Sequence, residues 1–142
     1  MKVEGRSVTA AIVIVGGMTV VAGTLLPWMT LFGGLHTYRG IIGLYGRLIA
    51  SGGVLAIALG LVLTAKENLL VRAAAAILGV AIFSFSTILI RNMMSIVGNH
   101  RGDPMMIAAP GRGLYVCLAG AALMSLTSAR LIRRTRPHSI RE

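Results

Sequence analysis

The side chains of this sequence that could do chemistry are few and widely spaced. His100 and Asp103 form its one close histidine–carboxylate pair. Such a pair can serve as a general base, but group transfer also needs a nucleophile and donors for a developing oxyanion. No G-x-S-x-G, H-E-x-x-H or P-loop pattern occurs. Within Gly98-Asn99-His100-Arg101-Gly102-Asp103-Pro104 the pair reads as a polar turn. Met93-Met94 and Met105-Met106 flank His100. Soft thioethers around an imidazole can hold Cu(I), yet methionine is equally an ordinary filler of apolar packing. No metal or other cofactor is assigned. Cys117 is the single cysteine, which excludes an internal disulfide and a cysteine zinc cluster. The chain is not expected to be an enzyme.

The acidic residues are Glu4, Glu67, Asp103 and Glu142. None falls inside an apolar segment, whereas proton relays and cation sites in membranes use buried carboxylates. Ser84, Ser86 and Thr87 precede Arg91 and could line a permeation path. Hydroxyls in apolar helices more often bond a carbonyl of their own helix or a neighbouring helix.

The elements that must position these residues are set by composition. Of the 142 residues, 56% are hydrophobic and 13% charged, about half the charged share of a soluble domain. Mean hydropathy is +0.82. Polar surface is too scarce for a water-facing fold, and the chain is too apolar for disorder. Four charge-free stretches predict membrane-spanning helices at about 8–32, 43–65, 70–92 and 112–132. Short connections predict antiparallel neighbours, hence a single all-α domain over 1–142: an integral membrane four-helix up-down bundle. The first stretch is longer than the apolar core of a signal peptide, which predicts a retained helix.

Net charge is +10. In a soluble protein this would suggest nucleic acid. Here the basic residues cap apolar segments and crowd the tail 130–142, so no nucleic-acid partner is expected. Lys2, Arg6, Lys66, Arg72, Arg130, Arg133, Arg134, Arg136 and Arg141 share one side; Arg39, Arg47, Arg91, Arg101 and Arg112 share the other. The excess predicts both termini in the cytoplasm. Arg130, Arg133, Arg134 and Arg136 could also meet anionic lipid headgroups or an acidic partner. The span-end arginines read as snorkelling anchors, with an anionic-lipid site as the alternative. Pro27 deprives the Gly23 carbonyl of its helical donor, which predicts a kink near the outer end of the first helix. Trp28, Tyr38, Tyr45 and Tyr115 are then predicted at the membrane interface. Gly43-Leu44-Tyr45 and Gly113-Leu114-Tyr115 suggest a faint internal repeat.

Small residues recur at helical spacing: Gly16 and Gly23 in the first helix; Gly46, Ala50, Gly53 and Gly60 in the second; Gly79 in the third; Gly113, Cys117, Ala121 and Ser125 in the fourth. Leucine burial does not drive helices together in lipid, whereas small residues let backbones approach. These stripes either pack this bundle or form faces that dock other integral membrane subunits.

Leu25-Leu26-Pro27-Trp28, the Gly-rich segment after it, and Gly111-Arg112-Gly113-Leu114-Tyr115 before an Ala/Gly-rich run give the chain a further character. It resembles the small, largely uncharacterised four-span membrane proteins of actinobacterial type. The resemblance implies a plasma-membrane location and no activity. Arg39 and Arg101 depart from the pattern of those proteins. The expected function is a non-catalytic accessory or structural subunit of a larger membrane complex; the alternative is a small transporter or oligomeric channel.

Overall fold

The computed structural model describes residues 2–31, 36–65, 68–99 and 109–134, with side chains placed for 7–30, 36–65, 68–95, 98 and 111–126. The chain is mostly helical. Helix α1 (Lys2–Leu25) leads into strand β1 (Pro27–Leu31); strand β2 (His36–Arg39) and a 3-10 turn (Gly40–Ile42) lead into α2 (Leu44–Ala65). Helix α3 (Leu69–Asn99), the two-residue strand β3 (Ala109–Pro110) and α4 (Arg112–Arg134) follow. Asn68 caps α3, its Oδ1 accepting from the Leu70 amide at 3.0 Å, which satisfies a donor the first helical turn cannot.

Helix α1 packs on both α2 and α4, and α3 packs on α4 and more loosely on α2. Val20, Trp28, Ile49, Leu114 and Cys117 belong to one buried cluster, Ala10, Val13, Leu63 and Ala75 to a second. The interior is built largely from small side chains, while Leu44, Leu55, Leu70, Ile77, Val80 and Ile88 face outward. Small inside and large apolar outside inverts the order of a water-soluble fold and matches helices that gain closeness rather than leucine burial. Among the described residues, three helices are long and apolar enough to cross a membrane: Ser7–Leu25, Leu44–Ala65 and Leu69–Ser95, with mean hydropathies of 2.1, 2.3 and 2.3.

Two helix bounds are corrected, and a small sheet is added. The fold is mostly helical with four helices, and β1, β2 and β3 add a small antiparallel sheet in the order β2-β1-β3 that the sequence did not predict. The first helix does not run to residue 32 with a kink but stops at Leu25. A residue before proline is pushed out of the helical region, and proline donates no hydrogen bond, so the chain leaves the helix and pairs as a strand. The third helix does not end at 92 but at Asn99; residues 93–97 contain neither Gly nor Pro, and an exposed Arg91 does not stop a helix. Helix α4, Arg112–Arg134, covers the helix predicted over 112–132.

Candidate functional site

The sites with the tightest geometry are the glycine contacts between helices. On α1, a Cβ placed on Gly16 would come 3.0 Å from the Gly120 carbonyl, and one on Gly120 would come 2.7 Å from the Gly16 carbonyl. Seven residues on, Gly23 and Gly113 repeat the relation, at 2.8 and 2.6 Å from each other's carbonyls. These reciprocal pairs progress in opposite directions along α1 and α4. Gly17, next to Gly16, faces α2 instead: Gly17 and Gly53 crowd each other's carbonyls at 2.8 and 3.1 Å. Gly60 makes room for Ile14 on the same seam, and Gly79 for Met124 and Ser125 of α4.

Each remaining small residue of the stripes has a defined place. Gly46 lies against the Gly40 carbonyl under the 3-10 turn. The Cys117 thiol is buried and donates to the Val20 carbonyl at 3.4 Å. Ala121 is fully buried, and Ser125 Oγ donates to the Ala121 carbonyl at 2.9 Å. Ala50 is half-buried. Arg130, Arg133 and Arg134 belong to α4, but their side chains lie outside the described residues, as does all of Arg136. His100, Asp103, Met105, Met106, Arg101 and the acids Glu67 and Glu142 are outside them too.

Trp28 organises the end of the bundle where the sheet sits. The β1–β2 register shifts between Pro27, which pairs with Arg39, and Met29, which pairs with Tyr38. Trp28 stands at this irregularity, and bulges of this kind re-aim a side chain. Here the indole turns inward and is only 3% exposed, so it packs within the chain rather than facing outward. Its Nε1 donates to the Gly23 carbonyl at 3.0 Å, and its own carbonyl accepts from the Gly111 amide at 2.7 Å. Gly40 lies against the ring, and a Cβ on Gly113 would come 2.8 Å from Trp28 Cδ1. Tyr38, Tyr45 and Tyr115 are exposed.

The hydroxyls behave mostly as backbone satisfiers. Thr19, Thr24, Ser51, Thr64 and Thr87 donate to carbonyls three or four residues earlier, at 2.6–2.8 Å. Ser86 is the exception: fully buried, with no partner for its Oγ among the described residues. The suggested repeat splits by environment, since Leu44 is 70% exposed and Leu114 3%.

Trp28, Gly17, Gly40, Gly111 and Gly120 lie outside the stripes read from the sequence. The Gly16-Gly17 doublet was the available signal for two helix contacts on adjacent faces. The role of Gly40 and Gly111 depends on sheet pairing that no local pattern reveals. No family model, curated protein or solved structure matches the chain.

Proposed function

We propose that the protein is a membrane-embedded, non-catalytic accessory or structural subunit of a larger membrane assembly. In this reading the helices form an up-down bundle in the plasma membrane, with both termini cytoplasmic and the sheet on the opposite face. The observation that carries it is the distribution of side chains: glycines and alanines occupied inside, large aliphatics outside. An α-helix of 22 residues such as α2 is about 33 Å long, close to the thickness of a hydrocarbon core.

The stripe glycines that contact α1, α2 and α4 are used up within the chain, so docking falls to the outer faces. Within their span windows α2 and α3 are each only 28% buried, against 44% for α1. A partner helix would meet these two. The basic tail, Arg130 to Arg136, would hold the cytoplasmic end by charge and meet anionic headgroups there.

The test is affinity purification of the full chain in mild detergent, followed by native mass measurement. The reading expects stoichiometric co-purification with other integral membrane subunits. A stable lone chain or lone homo-oligomer overturns it and moves the weight to transport, to be tested by flux in liposomes.

A further inference from the structure

Three exposed arginines, Arg39, Arg47 and Arg112, come from three different elements to the end of the bundle where the sheet sits. Arg39 ends β2, pairs with Pro27 of β1 and precedes the 3-10 turn. Arg112 opens α4 directly after Gly111, whose amide donates to the Trp28 carbonyl at 2.7 Å. Neighbouring strands lie about 4.8 Å apart, so Arg39 and the Gly111-Arg112 step stand about 10 Å apart across β1. Arg47 lies in the first turn of α2, yet its Nε reaches back to donate to the Ile41 carbonyl at 3.4 Å. Ile41 is two residues past Arg39, a backbone separation of about 7 Å at most. The 3-10 turn thus carries one guanidinium on its carbonyl and a second arginine at its start.

No carboxylate stands beside these arginines among the residues with described side chains. In sequence, the two segments that connect the helices at this end, 26–43 and 100–111, carry one acid, Asp103, and Arg101 offsets it. The surface around the 3-10 turn is also apolar: Ile42 is 57% and Leu44 70% exposed, near the exposed rings of Tyr38 and Tyr45. Bare aliphatics beside arginines suit neither water nor hydrocarbon alone. They suit the boundary between the two, where an acyl chain meets a charged headgroup. The depth agrees. Leu44 begins α2, a helix about as long as a hydrocarbon core is thick, so Leu44 stands where that core gives way to phosphates. Arg47, almost one turn further in, snorkels back to the level of Ile41.

We propose that this end of the bundle binds an anionic phospholipid of the leaflet it faces: Arg39 and Arg47 hold the headgroup phosphate around the 3-10 turn, and the acyl chains lie beside Ile42 and Leu44. The inference rests on the membrane-spanning part of the proposed function and is independent of the subunit part. A guanidinium holds a phosphate through paired N–H donors, and a basic residue at a lipid surface contributes about five-fold in affinity. Arg112 adds its charge from the far side of β1. An acidic protein segment would match the arginines but would leave the aliphatics at the start of α2 without a role.

The chain carries its own reporter for the test. Trp28 is its single tryptophan, and the ring lies against Gly40, between Arg39 and Ile41. Extraction of membranes with alkaline carbonate comes first: a full chain released by it overturns the membrane reading and this site together. A retained chain is reconstituted in dioleoyl-phosphatidylcholine vesicles. Quenching of Trp28 fluorescence is then compared between equal, small fractions of phosphatidylglycerol and phosphatidylcholine brominated in their acyl chains. The phosphatidylglycerol is expected to associate about five-fold or more tightly. The R39Q/R47Q double variant is expected to lose that preference, and R72Q, in the first turn of α3 at the other end of the bundle, to keep it. Equal quenching by the two lipids in the native chain overturns the site and gives the arginines to an acidic partner. A preference that survives R39Q/R47Q, or that R72Q removes as well, overturns it too; neither result touches the membrane reading. The comparison of lipids on the native chain needs no variant, and the Trp28 emission maximum in unbrominated vesicles shows whether each variant keeps its indole buried.

Discussion

The indole N–H of Trp28 donates to the Gly23 carbonyl across 3.0 Å, and that carbonyl is the one Pro27 leaves without a helical partner. One sequence event thus creates a defect and, one residue later, its repair. An unsatisfied carbonyl inside an apolar bundle costs a full desolvation penalty. The chain can therefore end α1 at Leu25 and turn into a sheet without leaving the Gly23 acceptor bare. The repair also ties the sheet to the α1–α4 seam, because Gly113 and Cys117 pack on the same Gly23.

Trp28→Phe is expected to lower stability by about 1–3 kcal/mol, since it keeps a ring in the pocket and removes only the donor. Trp28→Ala also leaves a cavity and is expected to cost about 3–5 kcal/mol. Denaturation of the detergent-solubilised protein by sodium dodecyl sulfate measures both. A phenylalanine variant as stable as the native chain would show that the indole bond contributes nothing.

Much of this was legible in residue types and little of it in their pairing. Pro27 announces an orphaned Gly23 carbonyl, and the stripes announce close helix contacts. A kink in a continuing helix was the local expectation, because a helix normally absorbs one missing donor. What decided otherwise is long-range: β1 pairs with residues 36–39 and with Ala109–Pro110, partners outside any local window. The same limit hid Trp28. An aromatic after proline near a span end reads as an interfacial anchor, and only the bulge that turns it inward makes it core. Spacing put Gly16 and Gly23 on one face, but not which helix that face meets.

The two glycine classes should separate cleanly. Gly23→Ala would bring a Cβ to 2.6 Å from Cys117 Sγ and 2.7 Å from the Cys117 amide nitrogen. One of these neighbours is backbone and cannot step aside, so a loss of about 1–3 kcal/mol is expected. Gly98 in α3 has nothing within 4 Å of its would-be Cβ. Gly98→Ala is therefore expected to stabilise, by about 0.5–1 kcal/mol through helix propensity. Equal effects in the same denaturation assay would contradict the packing described for α1 and α4.

Ser86 offers a change of opposite sign. Its hydroxyl is buried without a partner among the described residues, and a buried unpaired polar group costs about 1–3 kcal/mol. Ser86→Ala is expected to leave stability unchanged or to raise it by up to about that amount. Ser125→Ala, which removes a bond to the Ala121 carbonyl, is expected to cost about 0.6 kcal/mol. A loss of more than 1 kcal/mol for Ser86→Ala would mean that its hydroxyl is satisfied.

Cys117 reports on the seam directly. Its thiol is buried between α4 and α1 and is expected to resist N-ethylmaleimide in mild detergent and to react fully once sodium dodecyl sulfate unfolds the bundle. Rapid labelling of the folded protein would show the seam open.

The docking reading requires that the helices cross a bilayer with the sheet at one face and the start of α3 at the other. The direct measurement is single-cysteine accessibility in intact cells, in a Cys117→Ala background. Tyr38→Cys places a thiol on the exposed strand β2, and Asn68→Cys places one at the exposed start of α3. A membrane-impermeant maleimide is expected to label position 38 from outside and position 68 only after permeabilisation. Labelling of both in intact cells, or of position 68 alone, would contradict the account.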